Sequence, residues 1–304
     1  MKSRIIWLAL LVVVILAALP FGVSGYILGL LTLAFYYAVC AMAWDLLFGF
    51  AGEVNFGPSF LMGLGAYAAA LLNHYAGWPI PACLAAGAVA SVVGGVILAI
   101  PALRLSGPYF GLITLVAVLL LQNVITLFAG FTGGEIGLDL PDVLSIDDST
   151  NYWYALAFMT VSGALLFGLS RSTVGLILQA SGQDAIEAAA LGFNVAKHKL
   201  AAFCVSALFS GLAGGMLIFY MGTASVGTTV DIGIGVQIII AAVLGGRRTI
   251  LGAALGSIFL IAAGELLRPL GQLSTFVVSA VALLAILFFP GGFLGSALAA
   301  GGRE

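Results

Sequence analysis

Long apolar runs, broken by short polar or glycine-rich stretches, dominate the chain. A helix that crosses a bilayer needs about 20 predominantly apolar residues, and somewhat fewer when its ends dip inward. By that rule apolar runs fall at residues 5–19, 26–47, 59–75, 82–100 and 109–128, then at 153–169, 200–220, 232–244, 250–267 and 274–289. The pattern predicts ten membrane-crossing helices in one transmembrane domain covering 1–304. Two of the runs, 59–75 and 232–244, are short, and each follows a glycine-rich polar stretch.

The basic residues test that count, because lysine and arginine stay on the cytoplasmic side of short loops. With Lys2 and Arg4 placed inside, alternation across ten spans also puts Arg104, Arg171, Lys197, Lys199, Arg247, Arg248 and Arg303 inside. Of the ten basic residues only Arg268 falls outside. The loop carrying Glu135, Asp139, Asp142, Asp147 and Asp148 falls outside as well. Both termini are therefore expected in the cytoplasm. The opening segment, with Lys2 and Arg4 before the first apolar run and Pro20 after it, has the shape of a signal peptide. More spans follow it, so it is expected to stay as the first one.

Composition fits this picture. The chain is 62% hydrophobic and 7% charged, against about 25% charged in a soluble domain, and its mean hydropathy is +1.22. The net charge of −2 leaves no basic footprint for nucleic acid. The 41 glycines, about twice the usual share, favour close helix contacts in lipid. Cys40, Cys83 and Cys204 lie far apart inside apolar runs, with no metal or redox spacing. His74 and His198 each lack a second ligand nearby, and no catalytic cluster or metal site is expected.

The interspan segment 170–199, on the cytoplasmic side, carries the clearest local signal. Ser181 and Asp184 form an S-x-x-D helix start, residues 185–191 are strong helix formers, and Gly192 is a natural stop. The expectation is one helix of about ten residues, roughly 15 Å long, too short to cross the membrane. It reads equally as an interfacial connector or as a docking helix for a cytoplasmic partner.

A resemblance decides between these. E-A-A-A-L-G at 187–192 is similar to the signature by which ABC importer permeases couple to their ATPase subunits. The wider stretch 185–203 and S-G-L-A-G-G at 210–215 resemble the permeases of branched-chain amino acid importers. Four further motifs agree in the same order. They are G-F-A-G-E-V-N-F-G with G-L-G-A-Y within 49–67, L-R-L-S-G-P-Y-F at 103–110, T-G-G-E-I-G-L at 132–138, and V-L-G-G with G-A-A-L-G-S within 243–257. The chain departs from the family pattern at Ser181-Gly182-Gln183, where arginine and acidic residues are usual, and at Glu53 and Gln122.

The resemblance implies an all-α bundle of the type II ABC-importer kind in a bacterial-type inner membrane. Its partners would be a second homologous permease subunit, two cytoplasmic ATPase subunits and a soluble substrate-binding protein. The coupling loop would be 171–199, with Asp184, Ile186, Glu187, Ala188, Ala189, Leu191 and Gly192 as its coupling residues. ATP and magnesium would sit on the ATPase subunits and no cofactor on this chain. Independently, none of its three lysines follows a glycine, so it has no phosphate-binding loop of the G-x-x-x-x-G-K-[ST] kind. The implied cargo is leucine, isoleucine or valine, with urea, amides or aromatic acids as alternatives within the family.

Non-helical backbone at membrane depth is tolerated where it lines a path or is covered by protein. Residues 49–57, with Gly49, Gly52 and Gly57, form one such break, and 227–235 forms a weaker echo in the second half. Glu53 and Asn55 are candidate pathway residues on this ground, with a turn at the cytoplasmic end of the span as the alternative. Gln122 and Asn123, mid-run in the fifth span, line the path or bond a neighbouring helix. Ser59, Tyr109, Asp231 and Gln237 complete the candidate set. Glu265 and Arg268, one helical turn apart, are expected to form a structural ion pair, and Asp45 is expected to be an interfacial charge. An ion-coupled transporter working alone, with Glu53 or Glu265 as its coupling carboxylate, is the reading of another class.

Overall fold

The computed structural model describes residues 11–103 and 108–270, together with residue 280. Apolar composition makes nearly all of it helical, because lipid offers no partner to an unpaired backbone N–H or C=O. The elements in chain order are α1 (Leu11–Phe21), α2 (Gly25–Asp45), α3 (Pro58–Ala76), α4 (Ile80–Ala102), α5 (Pro108–Leu127) and α6 (Ala129–Thr132). After the short strand β1 (Leu138–Asp139) come α7 (Asp148–Arg171), α8 (Thr173–Gln183), α9 (Ala185–Ala190) and α10 (Val195–Met221). Then β2 (Thr223–Ala224), α11 (Val226–Thr229), α12 (Ile232–Gly245) and α13 (Ile250–Leu266) complete the described chain.

Every apolar run up to residue 267 overlaps one of these helices, and the run 274–289 lies outside the described residues. Among the described residues six stretches are long and apolar enough to cross a membrane. The short run 59–75 is α3, 19 residues long. The short run 232–244 is α12, with 14 residues, about 21 Å at 1.5 Å per residue and so less than the ~30 Å hydrocarbon core.

Side chains set the helix starts. Asp147 accepts a hydrogen bond from the Thr150 N–H at 2.9 Å to begin α7. Asn194 accepts from the Lys197 N–H at 3.0 Å to begin α10, and Asp231 from the Gly233 N–H at 2.6 Å to begin α12. Each removes one of the donors that a helix N-terminus leaves unpaired.

Two groups of helices cross at the centre. α10 packs chiefly against α3 and α4, while α2 packs chiefly against α13 and α7 and also meets α12 and α10. Small residues allow the close approach. A Cβ on Gly65 would overlap the backbone of Gly211, and one on Gly214 the carbonyl of Met62. In the other group a Cβ on Gly256 would overlap the Ala241 carbonyl. Each group carries a buried serine that bonds across helices. Ser91 Oγ on α4 donates to the carbonyls of Leu61 and Ala207, both at 2.8 Å, and Ser257 Oγ on α13 donates to the Ala34 carbonyl on α2 at 3.0 Å.

The order α2–break–α3–α4 returns as α10–break–α12–α13, giving three-dimensional form to the weak sequence echo. Both leading helices are the most buried of the candidate spans. The two breaks lie at opposite ends of the bundle. The first touches the start of α10, where Lys199 meets Glu53. The second follows the end of α10, where β2 pairs antiparallel with β1 of the acidic loop. The 27 residues of α10 put about 40 Å between those ends.

Candidate functional site at the interrupted helix

The first break begins inside α2. Its last turn widens into a π-helix, Leu46–Phe50, and the chain turns at Gly52, whose φ of +76° lies in the left-handed region that glycine adopts without strain. Residues 53–57 run without helix to Pro58, which opens α3. Their backbone groups are met by side chains. Trp44 Nε1 donates to the Asn55 carbonyl at 2.6 Å. Asn55 Oδ1 accepts from the Gly57 N–H at 2.8 Å, and the Phe56 N–H donates to Thr114 Oγ1 on α5 at 2.9 Å.

Three other elements close on this stretch. From α8, Gly182 lies against its backbone: a Cβ on Gly182 would stand 2.9 Å from the Ala51 carbonyl carbon and 3.0 Å from the Gly52 nitrogen. From α10, Lys199 Nζ reaches Glu53 Oε1 at 2.5 Å. From the turn between α12 and α13, the Arg248 N–H donates to Asp45 Oδ1 at 3.0 Å, and Arg248 Nε donates to the Gly49 carbonyl at 2.9 Å. Arg248 adopts a left-handed φ of 65° to do so, a conformation uncommon outside glycine. Beside it the Arg247 guanidinium lies 4.6 Å above the Phe48 ring, within cation–π range.

Asp45 is thus not the interfacial charge its place near a span end suggests. It is buried, because the α12–α13 turn, some 200 residues on, folds over it. Glu53 and Asn55 lie within the packed break, and Ser59 in the first turn of α3 that follows it. Asn55 and Ser59 are buried, and the Glu53 carboxylate is held by Lys199.

The segment 170–199 differs from its expected form. Ser181 does not start a helix; it is buried in the last turn of α8, an 11-residue helix. Asp184 alone caps the six-residue α9, accepting from the N–H groups of Ile186 at 2.8 Å and Glu187 at 3.0 Å. The single expected helix is two, because Gly182 must approach the Gly52 backbone before the chain can turn. Of the expected coupling residues, Ala188 faces inward and Asp184, Glu187 and Ala189 are exposed. Ile186 and Leu191 are 83% and 75% exposed. Gly192 ends the segment with φ +89°, donating its N–H to the Ala189 carbonyl at 2.9 Å.

The remaining pathway candidates lie on α5 and α12. Val118 and Ile125 pack α5 with Tyr67 of α3 and with Val230 just before α12. Thr114 accepts from the Phe56 N–H of the break, while Tyr109, Leu112, Val116 and Leu120 on α5 are exposed. Tyr109 is 66% exposed there, and Phe56, Tyr109, Leu112 and Leu115 line a cavity of about 480 Å³. Gln122 is half-buried and Asn123 exposed, its amide donating to the Leu119 carbonyl at 2.7 Å. That bond stays within α5 and joins no neighbouring helix. Asp231 caps α12, and Gln237 is exposed on it.

At the other end of the molecule, the acidic loop is tied down rather than loose. Asn73 Nδ2 donates to Asp142 Oδ2 at 2.8 Å, and Leu140 and Leu144 donate backbone N–H groups to Gly222 and Phe219. Glu265 and Arg268 form the expected ion pair at 3.2 Å. The Tyr26 hydroxyl joins it, linking the start of α2 to the end of α13.

A helical bundle crossing the membrane many times, with interrupted central helices and a short exposed helix beside one interruption, defines a multi-pass permease. The chain belongs to the family of branched-chain amino acid transport system permease components, whose model matches residues 26–290. It is 26% identical to the high-affinity branched-chain amino acid transport system permease protein LivM of Salmonella typhimurium, over 96% of this chain and 75% of the relative. The LivM protein of Escherichia coli is 27% identical over the same shares. The LivH permease protein of Escherichia coli is 26% identical over 87% of this chain and 92% of its own length. No solved structure matches the chain.

Proposed function

We propose that this chain is the membrane-spanning subunit of an ATP-driven importer of branched-chain amino acids. It would work with a second homologous permease, two ATPase subunits that bind ATP and magnesium, and a soluble substrate-binding protein. The observation that carries the reading is α9. It is a capped helix standing at one end of the bundle, with Ile186 and Leu191 turned outward, in a chain whose family members are permease components. Two exposed apolar side chains, one on α9 and one at its C-cap, beside a helix whose buried residue is Ala188 suit a groove on a partner. The end of the bundle carrying α8 and α9 would face the cytoplasm of an inner membrane, in line with Arg171, Lys197 and Lys199 there.

The path itself would run along the open side of α5 and the start of α12, past Tyr109, Gln122, Asn123, Asp231 and Gln237. The apolar cavity beside Tyr109 has a size and lining suited to an aliphatic side chain. Asn55 and Ser59 would support this wall from behind. The test is uptake of labelled leucine by proteoliposomes holding all the partners, in competition with valine, isoleucine, urea, a short amide and phenylalanine. Competition by the branched aliphatic amino acids alone supports the substrate class. Competition by urea or the amide and not by valine contradicts it.

A further inference from the structure

Helix α9 is followed on both flanks by an attachment to the same stretch of backbone. On one side the last turn of α8 carries Gly182, which lies against 50–52. On the other side α10 begins, and its first turns carry Lys199 to Glu53. A displacement of α9 relative to the bundle must therefore act on the break between α2 and α3. The two attachments differ in kind. Gly182 touches backbone and has no side chain to let go. Glu53 and Lys199 meet through long side chains only 14% and 17% exposed, so separating them in place would leave two sheltered charges without a partner.

We propose that the Glu53–Lys199 ion pair is the positioning link that carries motion of α9 into the interrupted helix. From Glu53 the link continues through one bond and one wall contact already described. The Phe56 N–H holds Thr114 on α5, and Phe56 also lines the cavity beside Tyr109. A pull on Lys199 thus reaches the wall of the proposed path within three residues of chain. Neither residue needs to touch the cargo. This inference rests on the importer reading, since it supplies the route by which the ATPase step reaches the path.

The experiment compares Glu53→Gln, Lys199→Met, Lys199→Arg and the exchanged pair Glu53→Lys with Lys199→Glu, each reconstituted with all partners. Leucine uptake and ATP hydrolysis are measured on the same proteoliposomes. The two neutral variants are expected to lose about tenfold in leucine moved per ATP, a loss in the usual range for coupling between sites, while hydrolysis continues. Lys199→Arg is expected to keep the ratio, and the exchanged pair to recover most of it. Equal ratios in the wild type and the neutral variants would overturn the link and leave the importer reading standing. So would an arginine variant as uncoupled as the methionine one. A wild type without ATP-dependent uptake would instead overturn the importer reading, and the link with it.

Discussion

Gly182 and Gly52 lie backbone to backbone: a Cβ on Gly52 would stand 2.9 Å from the Gly182 carbonyl oxygen, and one on Gly182 3.0 Å from the Gly52 nitrogen. Two positions 130 residues apart in sequence thus share one requirement, the absence of a side chain. Their contact brings α8 against the interrupted helix and sets where α9 begins.

Gly182→Val is expected to destabilise the protein by about 1–3 kcal/mol, the usual cost of overpacking, because the atoms it meets are backbone and cannot swing aside. Gly168, which has nothing within 4 Å, gives the control. Gly168→Ala is expected to be neutral or to stabilise by up to about 1 kcal/mol, as alanine favours a helix interior over glycine. Thermal unfolding in detergent checks both. Equal midpoints for the two variants would contradict the close contact.

At the central crossing, Gly214→Leu is expected to do more harm than either. A Cβ there already overlaps the Met62 carbonyl, so a whole side chain must part α10 from α3. The expected result is a lower midpoint of unfolding and a reduced yield of folded protein. A variant as stable as the wild type would mean that the two helices do not meet there.

Asp184→Ala removes the acceptor of two backbone N–H groups, and loss of such a cap costs about 1 kcal/mol. A six-residue helix has little else to hold it. Amide hydrogen exchange across 185–191 is expected to quicken, while that of α2 and α10 stays as it was. Unchanged exchange in 185–191 would show that packing, not the cap, maintains α9.

Tyr109→Ala and Asn123→Leu address the open side of α5. Neither side chain supports a neighbouring helix, since Tyr109 is exposed and Asn123 bonds within its own helix. Unfolding midpoints are expected to stay within about 0.5 kcal/mol of the wild type in stability terms, while leucine uptake falls several-fold. Uptake unchanged in both would move the path elsewhere on the molecule.

Much of this architecture is visible in the amino-acid order because the bilayer imposes a length on every span. The runs at 26–47, 82–100 and 200–220 each became a helix in the same place. The break at 49–57 was legible from Gly49, Gly52, Gly57 and Pro58. What surrounds the break was not. Glu53 and Lys199 are 146 positions apart and Asp45 and Arg248 are 203 apart, and no local pattern pairs them. Ser181 and Asp184 together matched one helix start, but the approach of Gly182 to Gly52 keeps Ser181 inside α8 and leaves Asp184 alone as the cap. The unusual Ser181-Gly182-Gln183 stretch was the available signal, and its meaning is steric: a larger residue at its centre would not fit.

The most direct test of the account is the driving force. The chain is reconstituted in proteoliposomes alone, and again with its sister permease, ATPases and binding protein, and leucine uptake is followed with internal ATP or with an imposed proton or sodium gradient. Uptake is expected only with ATP and the full set of partners, and is expected to be lost when Ile186 on the exposed helix and Leu191 at its end are changed to aspartate. Gradient-driven uptake by the chain alone, abolished by Glu53→Gln, would contradict it.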